Sequence, residues 1–518
     1  MPLDHDKVKV MKFGGTSMDD MEQIEQINEQ ESADAHTVLV VSAFSGVTDK
    51  LLEIAKNKMF APHNGFRDSF EPIILDTLDR IRLMTAHSDM QPDFSHIEKF
   101  LRDYIERVTQ GIWKLTDDSM FAEGNETQML QDVRIDRVVS IGEIFSAHAL
   151  KTVLTARSKT RKVYEDIDTS EVISRDKPFG EAEKRWVIYP VANHERKPLI
   201  EVISREIARH SAKKIHEGKT PVVPGYVGWV PGSILNSIDR GYTDSTAALT
   251  ARGLNELEGF RGNVRFQIWK EVPGLFSADP RLVEPDYDGK KFRKAGDFKA
   301  AKLRRSVEFK EAAELSAGAG MKAINPHGIT ALDKTGIPLE VRNTFEPLDK
   351  GTVVLPEIVD DLEENKVGVR FVSGKKGQTI YSFSSNEMVD QPGVAEEVFR
   401  HARELGIAVD VITSSATTIC FSVESKNQAR HRLFHRLKKM GDVEVDDNMA
   451  IVSCIGRKMR QTVGILADLT AVLKKEEINI GLLDGDFDKN VTFVIAEKDY
   501  EKAIKALHKA LFLPNENK

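Results

Sequence analysis

The chain has 518 residues, more than one hydrophobic core usually serves, so about three domains are expected. A hydrophobic content of 41% and a charged content of 30% are those of an ordinary soluble globular protein. The net charge of −8 is mild and argues against a general binder of nucleic acid or membrane surfaces. The two cysteines cannot form a disulfide framework and the N-terminus is polar, so we expect a cytoplasmic protein.

The first candidate functional motif is a glycine turn between a strand and a helix. Val8–Met11 is an apolar run suited to a buried strand, and apolar residues have helical spacing over Met18–Ile27. Gly14 and Gly15 therefore lie where backbone can approach a ligand and where a helix start favours an anion. Lys12 adds a positive charge beside that position. A tight turn with a solvated lysine explains this stretch equally well when it is taken alone.

A second strand–turn–helix unit follows the first. The apolar run Thr37–Phe44 is typical of a strand buried on both faces, as in a parallel sheet. Residues 45–49 turn the chain into a helix predicted to begin near Lys50. Helix capping accounts for the hydroxyl groups of this turn unless other motifs join it.

Residues 60–133 read as a helical insertion with a polar loop at residues 117–128. Ser140-Ile-Gly-Glu143 then precedes a predicted helix over Ile144–Leu154. Ser140 and Glu143 have the spacing of a capping box, which alone explains both residues.

A third strand end carries charged and hydroxyl residues. Thr220–Val230 predicts a buried strand, followed by Ile238–Thr246 and an alanine-rich helix from Ala247. An arginine, a glycine turn, then threonine and aspartate at a helix start are what a phosphate with its Mg²⁺ requires. An aspartate N-cap beside a surface arginine is the alternative. It is less attractive because such turns recur at several strand ends, where ligands of open α/β sheets collect.

A further strand is predicted over Phe266–Lys270, leading into Glu271–Arg281. A helix is predicted over Val307–Ala319, and Lys322 follows it. Beyond residues 347–356 the pattern changes to two successive βαββα units, the second beginning at Ala450. These small units lack a cluster of catalytic residues, so binding or assembly is their expected role.

Together these motifs closely resemble those of aspartate kinases of the amino acid kinase superfamily, and the resemblance covers nearly the whole chain. The motifs that carry it are Lys12-Phe-Gly-Gly-Thr-Ser17, Ser42-Ala-Phe-Ser-Gly-Val-Thr48, Ser140-Ile-Gly-Glu143, Asp239-Arg-Gly-Tyr-Thr-Asp244, Val272-Pro-Gly-Leu-Phe-Ser-Ala-Asp-Pro-Arg281 and the tandem ACT-like tail. Lys270-Glu271 stands where the family often has Thr-Asp, and Phe276 where it often has Tyr. Lys270-Glu271, together with Val341-Arg-Asn-Thr-Phe-Glu-Pro347, looks similar to a divergent branch that includes ectoine-linked aspartate kinases.

The resemblance implies an α/β fold, with an amino-acid-kinase-like sheet carrying helices on both faces and two C-terminal βαββα ACT-like units. The implied domains are a catalytic domain at 1–350, a linker at 351–376, and ACT-like domains at 377–447 and 448–518. The implied reaction is ATP-dependent phosphorylation of the aspartate side-chain carboxylate to 4-phospho-aspartate, leading towards lysine, threonine and methionine or ectoine. Mg²⁺ would enter through the ATP phosphates, without a direct protein ligand.

The resemblance also implies roles for individual residues. Lys12 would neutralise the transferred phosphoryl group, and Asp244 would orient Lys12 or the metal. Residues expected to contact the phosphates are Gly14, Gly15, Ser17 and Thr243. Residues expected to hold aspartate are Thr48, Glu143 and Arg240. Residues that match the nucleotide-binding segment are Lys270, Glu271, Phe276, Asp279, Arg281 and Lys322.

The ACT-like tail implies feedback control by an amino acid and at least a homodimer. The positions that match an effector site in lysine-sensitive relatives are Met388, Gly393, Val394, Ala395 and Asp410. No nucleic acid or membrane partner is expected. Two alternatives stay open at this point: another carboxylate or carbamate kinase of the same superfamily, such as an acetylglutamate-type kinase, and a catalytically inactive amino-acid sensor.

Overall fold

The computed structural model describes residues 7–57, 63–88, 90–119, 125–158, 162–167, 196–226, 241–287, 294–318, 324–332, 334–358, 368–389, 392–486 and 488–513. The chain forms two compact units. The first comprises Met1–Pro273 with His327–Pro356, and the second comprises Gly274–Pro326 with Glu357–Lys518. The domain boundaries expected at 350, 376 and 447 stay predictions.

The first unit is built on a mainly parallel sheet. Its strands are β1 (Val8–Phe13), β2 (His36–Val41), β3 (Val163–Asp166), β4 (Lys219–Pro224), β5 (Val264–Lys270), β9 (Leu339–Asn343) and β10 (Thr352–Leu355). Their spatial order is β3-β4-β2-β1-β5-β9-β10, and β10 alone among these runs antiparallel to its neighbour. The apolar residues of β1 and β2 are buried, as expected for central strands covered on both faces.

Helices of the first unit join these strands. They are α1 (Gly15–Met18), α2 (Met21–Glu31), α3 (Val47–Asn57), α4 (His63–Asp68), α5 (Glu71–Thr85), α6 (Phe94–Ser119), α7 (Asn125–Arg157), α8 (Arg196–His216), α9 (Tyr242–Glu256) and α12 (Pro326–Leu332). Among the described residues, the Arg134–Arg157 part of α7 has the length and apolar composition of a membrane span. Its most apolar window is 83% buried inside the fold, as in the core helix of a folded domain.

Three predicted boundaries in the first unit are corrected by the structure. The helix expected near Lys50 begins three residues earlier, since Val47 is buried in the core. The loop expected at residues 117–128 is shorter, because α6 continues to Ser119 and α7 begins at Asn125. The capping box at Ser140 and Glu143 is wrong, because both residues lie in the interior of α7. The Ser140 hydroxyl instead donates to the carbonyl of Arg137 one turn earlier.

The second unit carries the tandem repeat. Its elements are β6 (Leu275–Phe276), α10 (Pro280–Val283), β7 (Leu303–Arg304), β8 (Ser306–Glu308), α11 (Phe309–Ala313), β11 (Gly368–Ser384), α13 (Val394–Glu404), β12 (Ile412–Ser414), β13 (Thr418–Glu424), α14 (Arg430–Leu437), β14 (Asp442–Arg457), α15 (Ile465–Lys475), β15 (Leu482–Asp484), β16 (Asn490–Ala496) and α16 (Tyr500–Phe512). From β11 onward the order is βαββα twice, which confirms the predicted α/β class with two ACT-like units. The repeats share an antiparallel sheet in the order β12-β13-β11-β14-β16-β15.

Two buried ion pairs join residues 306–314 to the long strands of the repeats. Arg370 of β11 lies 2.8 Å from Glu311 of α11, and Arg457 of β14 lies 2.8 Å from Glu308 of β8. The helix predicted over 307–319 is corrected here: the chain is a strand at Ser306–Glu308, then α11, then a π-helical turn over Glu314–Gly318. The second unit therefore contains both repeats and the segment Gly274–Pro326.

Candidate active site

A cluster of three charged side chains, two of them buried and one partly buried, lies near the carboxyl end of the central strands of the first unit. Lys12 is on β1, Lys270 ends the neighbouring β5, and Asp244 is in the first turn of α9. The Asp244 carboxylate lies 2.8 Å from the Lys12 ammonium and 3.6 Å from that of Lys270. The family resemblance implied that Asp244 orients Lys12 or the metal, and the structure brings Asp244 and Lys12 into an ion pair.

The electrostatics of this cluster follow from burial and shared charge. Burial alone would raise the pKa of Asp244, but the ammonium groups of Lys12 and Lys270 outweigh it and hold that pKa below its ordinary value. Burial lowers the pKa of Lys270, and the attraction of Asp244 only partly compensates while Lys12 repels it. Two ammonium groups thus share one carboxylate, which favours binding of an anion.

The glycine turn after β1 stands next to the Lys12 ammonium. A Cβ atom built on Gly14 would lie 3.7 Å from Lys12 Nζ, and one on Gly15 would lie 3.0 Å from the carbonyl oxygen of Ala43. The second distance is tighter than ordinary contact, so the absence of a side chain lets the turn approach the segment after β2. Ser17 and Thr344 share a hydrogen bond of 2.7 Å between their hydroxyl groups.

Glu143 occupies a fully buried position on α7, beside Thr243 at the start of α9. Its Oε1 accepts a hydrogen bond of 2.9 Å from the Thr243 hydroxyl, which in turn accepts one of 3.1 Å from Ser42. Its Oε2 has no hydrogen-bond partner among the described residues. Burial raises the pKa of Glu143 to about 8, although Thr243 and the charge of Lys12 oppose the shift. A buried, unpartnered carboxyl oxygen of this kind suits the ammonium group of a ligand.

The Ser140-Ile-Gly-Glu143 motif has a packing reason as well as a chemical one. A Cβ atom on Gly142 would lie 2.9 Å from Leu51 Cδ1 and 3.0 Å from the Cβ of Ala43. Only glycine lets α7 pack this closely on α3 and on the turn after β2. The close packing brings Glu143 within hydrogen-bond distance of Thr243 at the start of α9.

A pair of tyrosines beside Glu143 was missed by sequence reasoning. Tyr226 follows β4, and its ring meets that of Tyr242 edge-on with centroids 4.3 Å apart. Tyr242 hydrogen-bonds to Glu143, and the Tyr226 hydroxyl donates to Asp136 on α7. The position of Tyr226 just after a buried strand was the available signal, because the other site residues also follow parallel strands.

Several predicted residues lie elsewhere or outside the described residues. Thr48 is half-buried in α3, and Glu271 is exposed after β5. Arg240 and Lys322 lie outside the described residues. In the second unit Phe276 is buried against Phe298, with ring centroids 4.6 Å apart. Asp279 caps α10 and pairs with Arg281. The roles assigned to these residues stay predictions.

The predicted effector positions lie around the start of α13 in the second unit. Met388 and Val394 pack partly against the core of the first repeat, and Gly393 caps α13 with a φ of 98°. Ala395 is exposed. The Asp410 carboxylate lies 2.7 Å from the ammonium group of Lys375 on β11.

Replacing Asp244 with asparagine is expected to destabilise the protein, because the buried Lys12 ammonium and the partly buried Lys270 ammonium would then face a neutral amide. Removal of one partner from a buried ion pair costs about 3–5 kcal/mol in the free energy of unfolding. Urea unfolding of the wild type and of Asp244→Asn measures this loss. The double variant Asp244→Asn/Lys270→Met is expected to recover part of it, since one of the two repelling charges is gone. An Asp244→Asn protein as stable as the wild type would contradict the shared ion pair.

Comparisons with known proteins agree with this architecture. The sequence model of the amino acid kinase family matches residues 7–343, and that of an ACT domain matches residues 452–511. Because the first match covers more than half of the chain, the protein belongs to the amino acid kinase family.

Its relatives within that family include aspartokinases. The aspartokinase of Schizosaccharomyces pombe is 27% identical, over 98% of this chain and 93% of the yeast protein. The lysine-sensitive aspartokinase 3 of Escherichia coli is 26% identical, over 98% of this chain and 99% of that protein. The crystal structure of E. coli aspartokinase III in complex with aspartate and ADP aligns with a TM-score of 0.68 and 23% identity, covering 98% of this chain and 100% of that one. This structural likeness supports the fold.

Proposed function

We propose that this protein is an aspartate kinase, which transfers the γ-phosphoryl group of ATP to the side-chain carboxylate of L-aspartate. The product is 4-phospho-L-aspartate, the first intermediate towards lysine, threonine and methionine. The observation that carries the proposal is the cluster of Lys12, Asp244 and Lys270 together with Glu143, whose Oε2 has no hydrogen-bond partner among the described residues. Full-length similarity to aspartokinases of yeast and bacteria supports the choice of substrate.

The reaction requires charge neutralisation more than a general base. The acceptor is already a carboxylate, so its oxygen attacks the γ-phosphorus directly while the bond to the β–γ bridging oxygen breaks and ADP leaves. Negative charge is spread over the transferred group, and a buried ammonium such as that of Lys12 stabilises it. Asp244 holds Lys12 in position through their 2.8 Å ion pair.

The remaining assignments follow the same logic. Gly14, Gly15, Ser17 and Thr243 are proposed to contact the phosphates from the turn after β1 and the start of α9. Aspartate is proposed to bind with its ammonium on Glu143, its α-carboxylate on Arg240 and a further contact from Thr48. The nucleotide is proposed to contact Lys270, Glu271, Phe276, Asp279, Arg281 and Lys322.

Magnesium is proposed to enter with the phosphates of ATP. The Asp244 carboxylate is already shared by two ammonium groups, so it is poorly suited to serve as a direct metal ligand. When bound, the ion would add positive charge to the phosphate groups. The residues that would hold the magnesium–nucleotide complex are therefore those that contact its phosphates.

The experiment that tests the function is hydroxamate trapping of the acyl phosphate. The intact protein is incubated with ATP, Mg²⁺, hydroxylamine and one of aspartate, glutamate or acetylglutamate, with Lys12→Ala as the inactive reference. We expect aspartyl hydroxamate to be the main product and to be lost in the variant. Product only from glutamate or acetylglutamate would identify another carboxylate kinase of the family. No product from any acceptor would favour an amino-acid sensor.

Regulation is proposed to occur through the repeats of the second unit. An amino-acid effector would bind near Met388, Gly393, Val394, Ala395 and Asp410, where its ammonium must compete with Lys375 for Asp410. Lysine and threonine added singly to the hydroxamate assay test which effector acts. We further propose a cytoplasmic enzyme that forms a homodimer or larger assembly through these repeats.

A further inference from the structure

A second lysine stands beside the one expected to neutralise the phosphoryl group. We propose that Lys270 binds the phosphate end of the nucleotide together with Lys12, rather than contacting the base or the ribose. The proposal rests on the proposed phosphotransfer function and deepens it by assigning a further phosphate-binding residue. The sequence motif alone placed Lys270 only in the general nucleotide-binding segment.

The register of the sheet places the two lysines on one face. In the parallel pair β1–β5, Lys12 lies opposite Ile268. Side chains along a strand alternate between faces, so Lys270, two residues beyond Ile268, is on the same face as Lys12. This face also meets the start of α9, where Asp244 contacts both ammonium groups at 2.8 and 3.6 Å. The ammonium group of Lys270 is therefore fixed beside that of Lys12.

The balance of charge around Lys270 favours an anionic ligand. Among the described residues, Asp244 and Glu271 attract the Lys270 ammonium and Lys12 repels it. Glu143, the other carboxyl near Lys12, has a pKa of about 8 and is mostly neutral at pH 7. Glu271 is exposed and therefore well screened by water. The ammonium groups of Lys12 and Lys270 thus both lie against the Asp244 carboxylate. A phosphate beside them would offset positive charge that this single carboxylate does not balance.

The partial exposure of the Lys270 side chain also favours contact with an anionic ligand. The side chain of Lys270 keeps 17% of its surface exposed, compared with 4% for Asp244. The ammonium can therefore meet a ligand while it stays paired with Asp244. A neutral base or ribose would leave the surplus positive charge uncompensated, whereas a polyphosphate would neutralise it.

The test separates the two ends of the nucleotide. Binding of ATP, inorganic tripolyphosphate and adenosine to the intact protein is measured by titration calorimetry, for the wild type, Lys270→Met and Lys270→Arg. Lys270→Met loses one charge-assisted contact, so its affinities for ATP and for tripolyphosphate are expected to fall by about 10- to 100-fold. Adenosine binding is expected to stay unchanged. Lys270→Arg, which keeps the charge, is expected to restore most of the polyphosphate affinity.

A matched control is available on the same sheet. Lys9 of β1 has 14% of its side chain exposed and pairs with Glu31 and Asp34, so Lys9→Met removes a similar lysine outside the site. It is expected to leave all three affinities unchanged. If Lys270→Met folds poorly, which thermal unfolding reveals, Lys270→Thr replaces it with the residue that resembling kinases often carry.

Two outcomes would overturn the proposal. If Lys270→Met weakens adenosine binding as much as ATP binding, Lys270 contacts the nucleoside. If tripolyphosphate binding is unchanged in that variant, Lys270 is only a structural counter-ion of Asp244. Since these measurements contain no phosphate acceptor, they remain readable even if the protein fails to phosphorylate aspartate. Failure of the proposed function and failure of the Lys270 assignment are thereby distinguished.

Discussion

Replacement of Lys12 with methionine is expected to lower kcat by about 10³-fold or more, the range seen when a key cation or oxyanion donor is removed from a transfer site. Methionine keeps the length and apolar body of the lysine side chain but removes its charge. Lys12 is nearly fully buried and has Asp244 at 2.8 Å, so little water is available to replace the missing ammonium. Steady-state kinetics with aspartate and ATP measure the effect.

The control for this loss is Lys9→Met, on the same strand. Glu31, one partner of Lys9, also pairs with Arg342 at 2.9 Å, so the control variant is expected to fold and to keep its activity. A Lys12→Met enzyme with a kcat within tenfold of the wild type would contradict the assigned role. Equal losses in both variants would indicate a general effect on the fold instead.

Replacement of Glu143 with glutamine is expected to raise the KM for aspartate by about 100-fold, since a buried carboxylate–ammonium pair is worth about 3 kcal/mol. Only the ionised carboxyl can pair with the substrate ammonium. Because the pKa of Glu143 is about 8, kcat/KM for aspartate in the wild type should rise with pH until about pH 8. The glutamine variant should lose this dependence. Initial rates at low aspartate across pH 6–9 provide the measurement.

Although Glu143→Gln is expected to weaken aspartate binding, it is expected to increase the stability of the folded protein at high pH. The folded state binds the Glu143 proton more tightly than the unfolded chain, whose carboxyl has the ordinary pKa of 4.5. The stability that this proton provides is present below pH 4.5 and is lost as pH rises towards 8, at up to about 1.4 kcal/mol per pH unit. Glu143→Gln carries no such proton. Without aspartate it should therefore be more stable than the wild type at pH 8.

Urea unfolding at pH 6 and pH 8 tests this expectation. The control is Glu25→Gln, which replaces a buried carboxylate that pairs with Arg157 on another part of the first unit. If the free energy of unfolding has the same pH dependence in the wild type and in Glu143→Gln, Glu143 is ionised in the free enzyme. The pH profile of aspartate binding would then need another titrating group.

Much of this site could be predicted from local sequence. Lys12 and the two glycines stand at the end of an apolar strand. Thr243 and Asp244 stand at a helix start after a glycine. Each motif can therefore be placed at a strand end or a helix start from the residues around it. The repeats were predictable because the order of strand and helix patterns occurs twice. The family resemblance implied that Asp244 orients Lys12 or the metal, and the rule that ligands collect at one edge of a parallel sheet agrees with their pairing.

Other features depend on contacts between distant segments. The buried position of Glu143 results from the close packing of Gly142 on Leu51 and Ala43, which the spacing of Ser140 and Glu143 does not reveal. That spacing suggested a helix start, although α7 begins far earlier at Asn125. The strand at Ser306–Glu308 looked helical because its neighbours are helical, and its glutamate pairs with Arg457 almost 150 residues later.

The two buried ion pairs of the second unit limit how the chain can be divided or recombined. Glu308 and Glu311 precede the predicted end of the catalytic domain at 350, whereas Arg457 and Arg370 follow it. A cut at that point would leave buried carboxylates on one fragment and their guanidinium partners on the other. The repeats therefore cannot be exchanged for those of a relative on their own. A chimaera that imports them from a relative must also import Gly274–Pro326, so that this segment and the repeats are inherited together.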